Sequence, residues 1–160
     1  MKRGMVRKLS VVLIAGLMLA IFAPGCSPPV SLAQTAVSLT TIQKGSYSGV
    51  REPLQIVIRD QQEWVALWAR HTSIRDKSPP AQEIDFSAEM VVALFLGQKS
   101  TGGYSVEITR AGLDGSNLRF YYRERSPTPG AMVTQALTQP YHLVRLSRSE
   151  STPVFVKQSP

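Results

Sequence analysis

Beyond about residue 37 the chain is a series of short alternating or apolar runs, broken by glycine and proline, with one helical stretch near the start. Residues 38–44 alternate loosely, as an edge strand does, and Gly45-Ser46 and Ser48-Gly49 mark turns around Tyr47. Residues 54–59 (Leu-Gln-Ile-Val-Ile-Arg) are rich in β-branched side chains and predict a strand. Residues 60–72 change period. Trp64, Leu67, Trp68 and His71 follow i, i+3, i+4, i+7 spacing, so they share one helix face. Asp60 stands at the N-cap position, with Glu63 three residues on in a capping-box-like arrangement. A polar loop over 73–82 ends in Pro79-Pro80, and Glu83-Ile84-Asp85-Phe86 leads into residues 90–96, apolar at nearly every position. Such a run predicts a central strand covered on both faces. A glycine-rich turn (Gly97-Gln98-Lys99-Ser100-Thr101-Gly102-Gly103) then gives way to a strand over 104–109. Gly112 to Asn117, containing Asp114-Gly115, predicts a hairpin turn, with the return strand over 118–124. Ser126-Pro127-Thr128-Pro129-Gly130 is a loop, and residues 131–137 are half apolar with no clear period. Residues 141–146 and 153–157 predict the last two strands. Strands dominate, most links are of hairpin length, and the single helix is early. The fold class is therefore α+β: a mostly antiparallel, sandwich-like sheet domain with one early amphipathic helix.

The first part of the chain reads differently. Lys2, Arg3, Arg7 and Lys8 precede an apolar run over 11–22, and Ala23-Pro24-Gly25-Cys26 follows. This is the layout of a secretory signal peptide. A small residue before a lone cysteine resembles the bacterial lipobox, in which cleavage before the cysteine frees it for lipid attachment. Ala23 stands where lipoboxes usually carry Leu; the rival reading is ordinary secretion, with cleavage nearby or after Ala33. Cys26 is the only cysteine, so an intrachain disulfide and a cysteine metal cluster are both excluded. Lipid attachment would also remove a free thiol from an oxidising compartment. The expected organisation is a lipoprotein signal peptide over 1–25, a flexible tether over 26–37, and a domain over 38–160. The product would be exported and lipid-anchored to the cell envelope. Ser27 after Cys26 favours the outer membrane or the surface over the inner membrane.

Charge shrinks once the signal is set aside. The full chain has 18 basic and 11 acidic residues, a formal +7, but four of the basic residues lie before Cys26 and no acidic one does. The remainder has 14 basic residues against 11 acidic, or +3. No basic tract with interleaved aromatics stands out, so nucleic acid is not an expected partner.

Candidate chemistry narrows the same way. Lys99-Ser100-Thr101 is not a phosphate-binding loop, because Gln98 and Ala93 occupy the places that motif reserves for glycine and a strand follows instead of a helix. His71 and His142 are the only histidines, too few for a typical zinc site. No Gly-x-Ser-x-Gly elbow appears, although counting alone leaves a Ser-His-Asp triad open. Glu83 and Asp85 lie in a loop with no acid/base partner in view. The expectation is a non-enzyme without cofactor or metal. The loops, rich in Gly, Pro, Thr and Tyr, become the candidate contact surface: Lys99, Thr101, Gly102, Gly103, Tyr104, Pro129, Gly130, Pro140 and Tyr141. Tyr104 and Tyr141 either face outward as interface tyrosines or turn inward to close the ends of the core. Trp64 and Trp68 suggest a glycan-binding alternative, against which helical spacing favours packing.

Several of these features occur together in one known family. The Trp-x-x-x-Trp helix, Ile84-Asp85-Phe86, the apolar strand, Gly97, Thr101-Gly102-Gly103-Tyr104, Pro127-Thr128-Pro129-Gly130 and Thr138-Gln139-Pro140-Tyr141 resemble the PrcB-type C-terminal domain across residues 54–156. That domain is found in bacterial lipoproteins associated with a secreted protease complex. The resemblance implies an accessory module, anchored to the membrane through Cys26, that binds or stabilises a protein partner such as a protease and has no catalytic role. A looser similarity of layout is to chagasin-type inhibitors of cysteine peptidases, which wedge three loops into the enzyme cleft. Here the counterparts are Ser100 to Tyr104, Ser126 to Gly130, and Gln139-Pro140-Tyr141. Gln139 stands for the family's Arg and Tyr141 for its Trp.

Overall fold

The structure is a computed structural model and describes residues 35–159. Signal cleavage, the greater part of the tether and Cys26 lie outside the described residues. The elements in order are β1 (Thr35–Val37), β2 (Thr40–Gly45), β3 (Pro53–Ile58), α1 (Gln61–Thr72), β4 (Glu89–Leu96), β5 (Ser105–Asp114), β6 (Asn117–Arg125), β7 (Tyr141–Ser147) and β8 (Thr152–Lys157). They form two four-stranded sheets, one in the order β1-β5-β6-β8 and the other β2-β7-β4-β3. The fold class is the α+β sandwich expected from the pattern.

β4 explains the packing. Its neighbours β3 and β7 make it a central strand. Successive side chains on a strand point to opposite faces. Met90, Val92 and Leu94 meet Val106, Leu118, Phe120 and Tyr122 of the opposing sheet in one buried cluster. Val91, Ala93 and Phe95 meet Trp64 and Leu67 of α1 in another. Both faces are covered, so the strand has no polar side to show.

α1 lies on the outer face of that sheet. The Asp60 side chain accepts a hydrogen bond from the Glu63 backbone N–H at 2.8 Å, as its N-cap position requires. Trp64 is fully buried, and its indole N–H donates to the Gln82 carbonyl at 2.9 Å; Trp68 donates to Pro79 at 2.8 Å. The two tryptophans therefore fasten the loop after the helix.

Some elements differ from the sequence reading. Thr35–Val37 already forms a strand, antiparallel to β5, ahead of the boundary expected at residue 38. β5 runs on to Asp114, and the hairpin turn contracts to Gly115-Ser116. A bulge between Ile108 and Arg110 restores alternation, so that Ile108 and Ala111 both point inward. β8 pairs with β6 in parallel, the exception to an otherwise antiparallel pattern.

Candidate functional site

Two loops at one end of the sandwich join into a single lobe. Residues 97–104 follow β4, and residues 126–140 link β6 to β7. Lys99 and Thr138 exchange backbone hydrogen bonds at 2.7 and 3.0 Å. Gly102 N–H donates to Thr134 O at 2.8 Å, and the Thr138 hydroxyl donates to Thr101 O at 2.7 Å. The lobe is also sewn to the turn after β2, because Gln139 N–H donates to Ser46 O at 2.8 Å. Gly103 needs to be glycine: its φ is +85°, and a Cβ there would come within 3.0 Å of Val133 and 3.1 Å of Pro127. Lys99 Nζ stands 5.6 Å from the Tyr104 ring centre, in reach of a cation–π contact. Lys99 also borders a cleft of about 340 Å³ lined by Leu54, Leu96 and Glu124.

The candidate contact residues divide. Gly103, Pro129 and Gly130 are exposed, while Lys99, Thr101, Gly102 and Tyr104 are half-buried. Pro140 and Tyr141, expected at the contact surface, are instead buried and belong to the core. The Tyr141 ring lies 4.3 Å from His71 and 6.0 Å from Phe95, centre to centre. Burial raises its phenol pKa. The inward reading holds for Tyr141 because β7 is an inner strand whose residues at this end pack under α1. The third loop of the chagasin-like layout is thus not presented. Trp64 and Trp68 are committed to the helix packing described above.

The residues that sequence reasoning missed are apolar. Met132 is fully exposed, Leu137 is 56 % exposed and Tyr47 is 54 % exposed. Among the described residues, these are three of the five large hydrophobic side chains on the surface. Met132 and Leu137 belong to the lobe, and Tyr47 to the turn that Gln139 holds. The signal was present as apolar residues without a period in a Thr/Gln-rich segment, which fits neither helix nor strand.

Both histidines are buried and hydrogen-bonded within the fold. His71 Nδ1 lies 2.9 Å from Ser48 Oγ, and Nε2 lies 3.1 Å from Gln43 Oε1. An array of Ser, His and Gln has the outline of a nucleophile and its base. Ser48 and His71 are both buried, however, so the hydroxyl offers a substrate no approach. Burial first, then the Arg75 charge, lowers the His71 pKa to about 4. His142 Nδ1 accepts the Ile108 N–H at 2.9 Å, which places the ring proton on Nε2, donating to Thr41 Oγ1 at 3.0 Å. Burial, then the Lys44 charge, lowers its pKa to about 4 as well. Among the described residues no group of three His, Cys, Asp or Glu side chains is arranged to hold a metal.

The lobe is also where comparison with known proteins bears. Residues 90–147 match the family model PrcB C-terminal. The match runs from the second residue of β4 to the end of β7, so it contains both loops of the lobe. The resemblance to a PrcB-type C-terminal domain therefore holds over this segment. No curated protein and no solved structure matches the chain. The matched segment leaves out β2 and β3, which complete the sheet around β4 and β7, and α1, which covers it.

Proposed function

We infer that this is an accessory protein-binding module of an extracytoplasmic protease complex, held at the cell envelope by lipid on Cys26, with the lobe as its contact surface and no chemistry of its own. The PrcB C-terminal match relates the domain to a protease complex. One observation carries the rest: a lobe braced by backbone hydrogen bonds projects Met132 and Leu137 into solvent, with Tyr47 on the adjoining turn. Exposed apolar side chains on a rigid support are what a protein interface uses as anchors. Gly103, Pro129 and Gly130 expose backbone that a partner can approach closely. The protein is exported, and Ser27 favours the outer membrane or the surface.

The test is co-purification of the full-length protein from its native envelope. The expected result is a stoichiometric peptidase subunit in the eluate and a lipid-modified Cys26 peptide by mass spectrometry. An eluate holding only this chain, or an unmodified Cys26 peptide, would overturn the corresponding part of the reading.

A further inference from the structure

The hairpin β5–β6 has an outer face unlike the rest of the molecule. On β6, Leu118, Phe120 and Tyr122 turn into the core, so Arg119, Tyr121, Arg123 and Arg125 turn out. Arg110 of β5 is in register with Tyr121, and its guanidinium lies 3.5 Å from the centre of that ring. Val154 and Val156 of β8 pair with Arg119 and Tyr121 and are half-buried on the same face. Among the described residues, two carboxylates share the face. Glu107 is held by Lys44 at 2.9 Å, and Asp114 by Arg119 at 2.8 Å. Among the described residues, four arginines and two carboxylates share this face, a formal +2.

We propose that this face lies against an anionic lipid surface. The charge complements phosphate-bearing headgroups. Tyr121 and the two valines add a ring and apolar surface suited to headgroup depth. The position of the anchor selects a membrane over other anionic partners, and here the proposal rests on the reading of Cys26 as lipid-bearing. β1 is the edge strand of this same sheet, and Thr35 stands nine positions after Cys26. Nine residues reach at most about 30 Å. β6, with its nine residues, is about as long. The lipid therefore holds Thr35, at the hairpin end of this face, within about one strand length of the bilayer. Thr35 pairs with Leu113, next to the hairpin turn, whereas the lobe continues from Ser105 and Arg125 at the other end of the strands. The anchor and the lobe are thus at opposite ends of the hairpin.

Arginine footprinting tests this. The chain from Cys26 on, which retains every described residue, is coupled through its single cysteine to a maleimide lipid and placed on vesicles. Modification by an arginine-selective dicarbonyl is then read by mass spectrometry. On vesicles of mixed phosphatidylglycerol and phosphatidylcholine, labelling of Arg123 and Arg125 falls about fivefold relative to phosphatidylcholine alone. Arg51 and Arg70 are unchanged, and high salt abolishes the difference. Equal labelling on the two vesicle types, or an equal fall at Arg51 and Arg70, overturns the proposal. The synthetic lipid replaces the native one and no protein partner is present, so failure here is distinct from failure of partner capture or of native lipid attachment.

Discussion

Gly103 and Tyr141 show how residues that look alike in a loop motif diverge once packed. Gly103 holds the lobe together through its left-handed backbone, so Gly103→Ala strains the loop and costs about 1–3 kcal/mol. A urea titration followed by fluorescence checks this. Tyr141 belongs to the core, and Tyr141→Ala costs about 3–5 kcal/mol, as other large-to-small changes at buried aromatics do. Loss of partner capture in Tyr141→Ala would then report unfolding. A Tyr141→Ala protein with wild-type stability would contradict this placement. Met132 presents the opposite case. Its side chain is wholly in solvent, so Met132→Asp leaves the unfolding midpoint unchanged within about 0.5 kcal/mol.

Elements were legible in proportion to their periodicity. α1 was readable from Asp60 and the tryptophan spacing, and β4 from an apolar run that only a strand covered twice would tolerate. β1 was not legible: Thr35–Val37 has too little sequence to show alternation, and its strand exists through pairing with β5. The parallel pairing of β8 was hidden for a related reason, since register across a sandwich is a property of the partner strands. The lobe was half legible. Its glycines and prolines marked two loops, but nothing local in Thr138 or Lys99 announces the bridge between them. At this scale the helix cap gives a clean test. Asp60→Ala removes the acceptor for Glu63 N–H and costs about 1 kcal/mol, while Asp60→Asn retains most of the stability. Equal stability of the Ala and Asn variants would contradict the capping role.

Across the whole molecule, both histidines join distant parts as neutral rings. His142 ties β5 of one sheet to β7 of the other, and His71 ties α1 to Gln43 of β2. Each has a folded pKa of about 4, below the ordinary value of 6.5. Between those limits the unfolded chain takes up protons that the folded one refuses. Stability is therefore complete above about pH 6.5 and falls as pH drops towards 4, by on the order of 3 kcal/mol per histidine. Denaturant midpoints measured from pH 7.5 to 4.5 should decline, and less steeply in His142→Gln. A flat profile would contradict the buried neutral assignment. The central claim is that the lobe holds a protein partner through its exposed apolar side chains. Capture from the native envelope by wild type and by the double variant Met132→Asp/Leu137→Asp tests it most directly. Capture is expected to fall about thirtyfold, for two anchors of roughly 1 kcal/mol each, while the thermal midpoint stays at the wild-type value. Undiminished capture by a folded double variant would show that the partner binds elsewhere.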